Sequence, residues 1–457
     1  MIDKKTKLFG TDGIRAKSGE FPLDSKTVRT IGASLARHLA ERTGGRTPVI
    51  VTGRDTRESG PRIEEDLMAG ALASGASVQS AGVITTPGVA YLARVLPADA
   101  GVVISASHNP FADNGIKIFD PSGRKLDEAT ERQIELDIAK NELGMHGATH
   151  ASPAADEQGA INLRDRYLDY LEHEIGGGLS LDDLKLVVDC ANGAASEIAP
   201  KLLGDLGARV IAINNQPNGR NINLNCGSLH IETLQQRVLT ERADVGVAFD
   251  GDADRALFVD AEGNFVDGDA TMWVLASYMK ERGELSGENV VATVMTNLGL
   301  EVALRERGIK LSRTDVGDKY VLDELLRSKA ALGGEQSGHI IFPRVSLAGD
   351  GMITALNLLR VMKDGGESLA ELARGFVRYP QILVNVKVRE KVPFESVPAI
   401  ANGAQEVERD LGERGRLLLR YSGTEALARV MIEGEDESQV RTSANTLADV
   451  IRAEIGA

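Results

Sequence analysis

The stretch Gly101-Val102-Val103-Ile104-Ser105-Ala106-Ser107-His108-Asn109-Pro110, GVVISASHNP, carries a run of apolar β-formers straight into two serines, a histidine, an asparagine and a proline. A short apolar run bounded by turn residues reads as a buried strand. The theme recurs in PVIVTGRDTRESG (48–60), KLVVDCANGAA (185–195), DVGVAFDGDADR (244–255) and ALGGEQSGHII (331–341). Helical periodicity lies between these runs; in 26–42, Val28, Ile31, Leu35 and Leu39 recur on one face. Strand, glycine-rich polar loop and amphipathic helix in alternation predict an α/β fold with mixed, largely parallel sheets. In such sheets ligands bind beyond the carboxyl ends of the strands, where GVVISASHNP delivers its polar cluster.

At 457 residues the chain exceeds what one hydrophobic core supports. Three boundaries are predicted. MHGATHASPAADEQGA (145–160) reads as a linker, a second boundary follows the 244–259 strand and loop, and a third falls near GESLAELARGFVRYPQ (366–381). The expected domains are 1–153, with the serine loop; 154–257, with an acidic loop; 258–372, with the GGEQSGH loop; and 373–457. The first three share an architecture more than a sequence. The last reads as α+β, with strands at 382–388, 416–420 and 428–433 and a closing helix whose Val440, Ala444, Leu447, Ile451 and Ile455 share a face.

The net charge of −15 argues against a nucleic-acid binder or a partner of anionic membrane surfaces. It leaves anionic small molecules open, since a phosphate site needs only a local cluster of arginines and backbone amides. The two cysteines, Cys190 and Cys226, form no framework pattern. No apolar run reaches membrane-spanning length, and the first residues lack a signal-peptide core, so a cytoplasmic location is expected.

Four loops carry chemistry. In DGDAD, Asp250, Asp252 and Asp254 stand at i, i+2 and i+4. Along a straight strand, i and i+2 side chains lie roughly 6.6 Å apart, too far to share one ion about 2 Å from each ligand, so a tight loop must close the set. Hard oxygen donors favour Mg²⁺. An EF-hand is a poor match because its sixth position needs glycine and Arg255 stands there. A solvated acidic turn is the alternative. Ser107 lacks the G-x-S-x-G context of a hydrolase elbow; it reads as an activated nucleophile or as a helix cap. In RYSGTEALAR (420–429), Arg420, Ser422, Gly423, Thr424 and Arg429 suit a phosphate cradle or a capping turn. In GGEQSGH (333–339), Glu335 and Ser337 can hydrogen-bond sugar hydroxyls. FGTDGIR (9–15) adds Arg15 on a glycine-punctuated loop.

In this order and at these distances the loops resemble those of the α-D-phosphohexomutase family over essentially the whole chain: FGTDGIR, ISASHNP followed by DNGIK, FDGDADR, GGEQSGH and SGTE, with VMTNLGL (294–300) and NINLNCGS (221–228). The resemblance implies four domains around a central active-site cleft. It implies that Ser107 carries a phosphoryl group and that Asp250, Asp252 and Asp254 hold one Mg²⁺, with the Ser107 phosphate as a further ligand. Glu335 and Ser337 then face the sugar. Arg420, Ser422, Gly423, Thr424 and Arg429 hold the non-reacting phosphate. Arg15, His108, Lys117, Arg255 and His339 line the reacting end. The GEQSGH variant points to the amino-sugar branch, hence to interconversion of glucosamine 6-phosphate and glucosamine 1-phosphate through a 1,6-bisphosphate, which also serves as activator. Phosphomannomutase or phosphoglucomutase activity is the alternative within the family, and a sugar-phosphate phosphatase or sensor the alternative outside it. A homodimer is common among such enzymes. The chain departs from the branch at Tyr421, where lysine is usual, and at Ala426, where proline is usual; the smaller departures are Ala16, Leu229 and Lys319.

Overall fold

The computed structural model describes residues 7–140, 156–422 and 426–457. They fall into two compact units, one drawn from Met1–Thr293 and Thr314–Ala373, the other from Val294–Arg313 and Arg374–Ala457.

The first unit opens with β1 (Ile14–Lys17), β2 (Val49–Arg54), β3 (Ser77–Val83), β4 (Ala100–Ile104) and β5 (Asp113–Phe119), ordered β1-β5-β4-β2-β3. β2 pairs in parallel with β3 and β4, whereas β5 runs antiparallel to β4 and β1 antiparallel to β5. β6 (Lys185–Asp189), β7 (Arg209–Ile213), β8 (Val245–Phe249), β9 (Ala256–Asp260) and β10 (Phe265–Val266) repeat that plan in the order β10-β9-β8-β6-β7. The chain continues through β11 (Asn289–Thr293), β12 (Lys310–Thr314), β13 (Leu332–Gly334) and β14 (Ile340–Ile341). β11 pairs in parallel with β13, and β14 returns antiparallel against β13.

The strand–loop–helix rhythm holds after β2 and β6, which lead to helices Gly60–Ala73 and Ala195–Asp205. It fails after β4, β8 and β13, where the chain folds back as an antiparallel strand. Each of these loops contains a residue in the left-handed region, Ser107 (φ 51°), Ala253 (φ 57°) or Gly338 (φ 89°), which helps reverse the chain over a few residues. An apolar segment such as IKIF then completes the buried sheet. SASHNP, DGDAD and EQSGH thus occupy one topological position in three related sheets.

Core formation follows the expected faces. Asp24 caps helix Ser25–Arg42 by accepting the Thr27 amide, and Val28, Ile31, Leu35 and Leu39 are buried. All five residues of β4 are buried, as a strand covered on both faces requires. Cys190 and Cys226 are buried and free. Of the linker predicted at 145–160, residues 145–155 lie outside the described residues. The remainder is the start of a helix: Asp156 accepts the Gly159 amide and caps Glu157–Asp169, so local capping overrides the small-residue composition. Among the described residues no helix is long and apolar enough to cross a membrane.

In the second unit, β15 (Gln381–Lys387), β16 (Gly415–Tyr421) and β17 (Leu427–Gly434) form an antiparallel sheet ordered β15-β17-β16. Helices Pro398–Leu411 and Glu437–Ile455 complete its core, the latter burying Val440, Ala444, Leu447, Ile451 and Ile455.

Candidate active site

Ser107 stands three residues beyond β4, 1 % exposed and with a positive φ that a non-glycine residue adopts at a cost. Its amide donates to Ser105 Oγ at 2.9 Å, and Ser105 Oγ donates to Asp55 Oδ2 at 2.6 Å. The fully buried Arg57 holds the rest of the loop. Its Nε donates to Asp55 Oδ2 (2.9 Å). Nη1 donates to the carbonyls of Asp113 (3.0 Å) and Pro110, and Nη2 to those of Ser107 (2.9 Å) and Asn109 (2.8 Å). All five guanidinium N–H groups are used. Burial pushes the Asp55 carboxyl up against the opposing charge of Arg57.

The acidic loop meets Ser107 from β8. Ser107 Oγ donates to Asp250 Oδ2 at 2.5 Å, and Asn223 Nδ2 donates to the Ser107 carbonyl at 2.9 Å. A Cβ on Gly251 would stand 2.5 Å from that carbonyl oxygen, so the two loops approach this closely only because position 251 is glycine. Asp250, Asp252 and Asp254 are buried and can offer three carboxylate oxygens within 4.8 Å of one another. This turn replaces the straight-strand spacing that could not converge. Thr86 Oγ1 and Lys117 Nζ occupy Asp252 Oδ2 at 2.6 and 2.9 Å. Asp252 Oδ1 and Asp254 Oδ1 are buried without a hydrogen-bond partner. Orphaned buried carboxylate oxygens are costly, and hard oxygen donors so grouped fit a divalent cation such as Mg²⁺.

Burial, with the charges of Asp254 and Asp252, raises Asp250 well above the usual carboxylate range. Burial acts the same way on Asp254, but Lys117 and His339 outweigh it and hold that carboxyl low. The two histidines diverge. Burial, then the charges of Arg255 and Arg15, lowers His108 to about 4. Burial also opposes the charge on His339, yet the carboxylates of Asp254, Asp318 and Glu335 raise it to about 9. His108 Nδ1 lies 3.3 Å from Ser107 Oγ.

A cavity of about 490 Å³ opens over these groups, lined by Arg15, His108, Asp254, Arg255, Glu335 and His339 together with residues of the 8–13 and 316–318 segments. Six residues predicted from four separate loops therefore share one wall. Lys117 lines an adjoining cavity of about 390 Å³ with Asp254 and His339. Glu335 Oε1 accepts the Gly317 amide at 3.1 Å, and Ser337 Oγ donates to Glu335 Oε2 at 3.3 Å. Gln336 is tied to Asp269 at 3.2 Å.

The predicted phosphate loop belongs to the second unit. Arg420 and Arg429 are cross-strand partners on β16 and β17, so the two guanidinium-bearing residues stand opposite each other in the sheet. Ser422 is buried, and Arg429 Nη2 donates to its hydroxyl at 3.4 Å. Gly423 and Thr424 lie outside the described residues. Tyr421 stacks on Phe394 with ring centroids 4.2 Å apart and donates to the Val392 carbonyl at 2.7 Å.

Sequence reasoning missed Asp55, Arg57, Asn223, Asp12 and Thr86. One signal was available for Arg57: an aspartate directly after an apolar strand, as in GRDTR, needs a buried cation.

The description "Phosphoglucomutase/phosphomannomutase, alpha/beta/alpha domain I" matches residues 6–145, domain II residues 165–263, domain III residues 267–379 and the C-terminal domain residues 383–450. The chain is 50 % identical to the phosphoglucosamine mutase of Solibacter usitatus, covering 98 % of this chain and 99 % of that one. A phosphoglucomutase/phosphomannomutase family protein from Burkholderia thailandensis superposes with TM-score 0.77 at 22 % identity, covering 100 % of both chains. The Aspergillus fumigatus N-acetylphosphoglucosamine mutase, solved with GlcNAc-6P and magnesium, superposes with TM-score 0.66 at 19 % identity over 99 % of this chain and 96 % of that one.

Proposed function

This chain belongs to the phosphoglucomutase/phosphomannomutase family, and from that premise we propose that it is a phosphoglucosamine mutase, interconverting glucosamine 6-phosphate and glucosamine 1-phosphate. The observation that carries the reaction type is the hydrogen bond from Ser107 Oγ to Asp250 within a buried acidic triad. The amino-sugar preference is supported by the 50 % identity to the Solibacter enzyme.

Ser107 is the phosphoryl carrier. The free hydroxyl of the 6-phosphosugar attacks phosphorus; the new P–O bond forms as the bond to Ser107 Oγ breaks. The hydroxyl proton leaves to a neighbouring base, and Ser107 keeps its oxygen. The 1,6-bisphosphate turns over, and the reverse step returns its other phosphoryl group to Ser107. Such transfer asks for positioning and charge neutralisation. Arg15, Lys117 and Arg255 supply positive charge at the reacting end, and His108 and His339 handle protons. Asp250, Asp252 and Asp254 would hold Mg²⁺, whose charge would supply neutralisation for phosphoryl transfer. Glu335 and Ser337 orient the sugar, and Arg420, Ser422, Gly423, Thr424 and Arg429 grip the distal phosphate. The domains run 1–153, 154–266, 267–372 and 373–457, the expected boundary at 257 moving to 266 because β9 and β10 complete the second sheet, and the enzyme works in the cytoplasm.

The test is kcat/KM for glucosamine 1-phosphate against glucose 1-phosphate, with Mg²⁺ and a 1,6-bisphosphate present. A large preference for the amino sugar is expected. A preference for glucose 1-phosphate would keep the mechanism and overturn the substrate; phosphate release without isomerisation would make the protein a phosphatase.

A further inference from the structure

Six side chains of alternating charge close a ring at the reacting end. His339 Nδ1 lies 3.6 Å from Asp254 Oδ1, Asp254 Oδ2 lies 3.4 Å from Lys117 Nζ, and Lys117 Nζ lies 3.1 Å from Asp12 Oδ2. Asp12 Oδ1 lies 2.6 Å from Lys125 Nζ, Lys125 Nζ lies 2.5 Å from Asp318 Oδ2, and Asp318 Oδ2 lies 3.9 Å from His339 Nε2. Half of this ring belongs to the proposed machinery. Asp12, Lys125 and Asp318 do not.

We propose that Lys125 is a positioning residue that joins Asp12 to Asp318 and thereby holds Arg15 and Lys117 at the reacting end in register with His339. The geometry carries the argument. Lys125 follows β5 and Asp12 precedes β1, so both belong to the first sheet's surroundings. Asp318 opens helix Asp318–Ser328, and His339 closes the loop before β14. The Lys125 ammonium spans the two groups. It also donates to the Thr11 carbonyl at 3.1 Å, which pins the 9–15 loop carrying Arg15. Asp12 additionally pairs with Arg15. This carboxylate therefore serves three cations. Without Lys125 it is left to Arg15 and Lys117 alone, and their charge turns from the phosphoryl group toward Asp12. Asp318 loses its closest cation at the same time. Burial opposes the charge of Lys125, but Asp318 and Asp12 outweigh it and raise its pKa, so the ammonium persists through the physiological range.

A rim pair beside the ring provides a control. Arg124 meets Asp323 at 2.9 Å, joining the same two elements without touching the ring. If the pairs act only as a clamp, losing either should have the same effect.

The proposal rests on the mutase reading only where turnover is the readout. Lys125→Met is expected to lower kcat by about 10- to 100-fold, the scale of a misplaced catalytic group, with KM within about threefold. Arg124→Gln should leave both unchanged. Asp318→Asn should lower kcat too, and the double variant Lys125→Met/Asp318→Asn should be no worse than Lys125→Met within about twofold, because groups in one network are non-additive. Hydrogen exchange reads the same device without turnover: Lys125→Met should speed exchange in 9–15 and at the start of helix Asp318–Ser328, and Arg124→Gln should not. Equal losses in Lys125→Met and Arg124→Gln, additive losses in the double variant, or unchanged exchange in Lys125→Met would each overturn the proposal. A parent chain that isomerises no phosphosugar while Lys125→Met still loosens those segments would overturn the mutase reading and leave the ring standing.

Discussion

Arg57 Nη2 donates to the carbonyl oxygen of Ser107 at 2.9 Å, so a buried guanidinium grips the backbone of the proposed phosphoryl carrier itself. The same fork takes three further carbonyls of that loop and the Asp55 carboxylate. The positive φ of Ser107 is held by this grip and by Asn223 from the second sheet's surroundings.

Arg57→Lys keeps a cation beside Asp55 but replaces a planar fork by three donors on a flexible stem. kcat should fall at least about tenfold, as expected when a reacting group loses its orientation. Arg57→Met strands the buried Asp55 charge and should cost about 3–5 kcal/mol of stability. Steady-state kinetics and urea midpoints check both; parent-like kcat in Arg57→Lys would show that the fork does not orient Ser107.

Ser107→Ala removes the oxygen proposed to carry the phosphoryl group. Incubation with glucose 1,6-bisphosphate should add one phosphoryl mass to the parent and none to the variant, and turnover should vanish. The lost hydrogen bond to Asp250 is worth only about 1 kcal/mol, so the variant should remain folded. Phosphoryl incorporation into a folded Ser107→Ala protein would exclude Ser107 as the acceptor.

Mg²⁺ should bind the native triad and raise the thermal midpoint, since a ligand at about 100 times its Kd adds about 2.7 kcal/mol. Asp254→Asn removes one of the orphaned oxygens' charges and should abolish most of that shift. Chelation should stop turnover in the parent and Mg²⁺ should restore it. A midpoint equally sensitive to Mg²⁺ in Asp254→Asn would remove this triad as the metal site.

Asp350 caps helix Gly351–Gly365 and accepts the Tyr167 hydroxyl at 2.7 Å. Burial raises its carboxyl to about 6 from the usual 3.8, although these hydrogen bonds oppose the rise. A raised carboxyl favours the protonated fold. Its contribution is fully present below about pH 4 and is lost as pH rises through about 6. Asp350→Asn keeps a capping oxygen but cannot titrate. Urea midpoints of parent and variant should therefore diverge progressively between pH 4 and pH 6.5, the parent losing on the order of 3 kcal/mol relative to the variant. Parallel profiles would show that Asp350 does not titrate in this window.

Much of the site was readable because its chemistry is contiguous. Ser107 with His108, the three aspartates, and Glu335 with Ser337 each lie within one loop, and a loop at a strand's carboxyl end is where such groups work. The grip of Arg57 and Asn223 on the Ser107 carbonyl was not readable, since that carbonyl lies 50 and 116 residues away from them in sequence. Lys125 was hidden for a related reason: Asp318 lies on a helix that no local pattern relates to it. The return strands after β4 and β8 break the general strand–loop–helix rhythm, because a short apolar run after a loop does not reveal its direction.

By itself the sequence determined which groups exist and how they are spaced: alternating strands and helices, a serine at a strand's end, and three aspartates alternating with two small residues that let the turn close. Tertiary structure decided which of those groups meet and in what charge state. His108 and His339 are the same side chain with the same intrinsic basicity, yet one is lowered to about 4 and the other raised to about 9. Burial disfavours charge on both; cations face the first, and carboxylates drawn from distant segments face the second. Electrostatic energy depends on distance in space and on access to water, and a linear sequence specifies neither until the chain has folded.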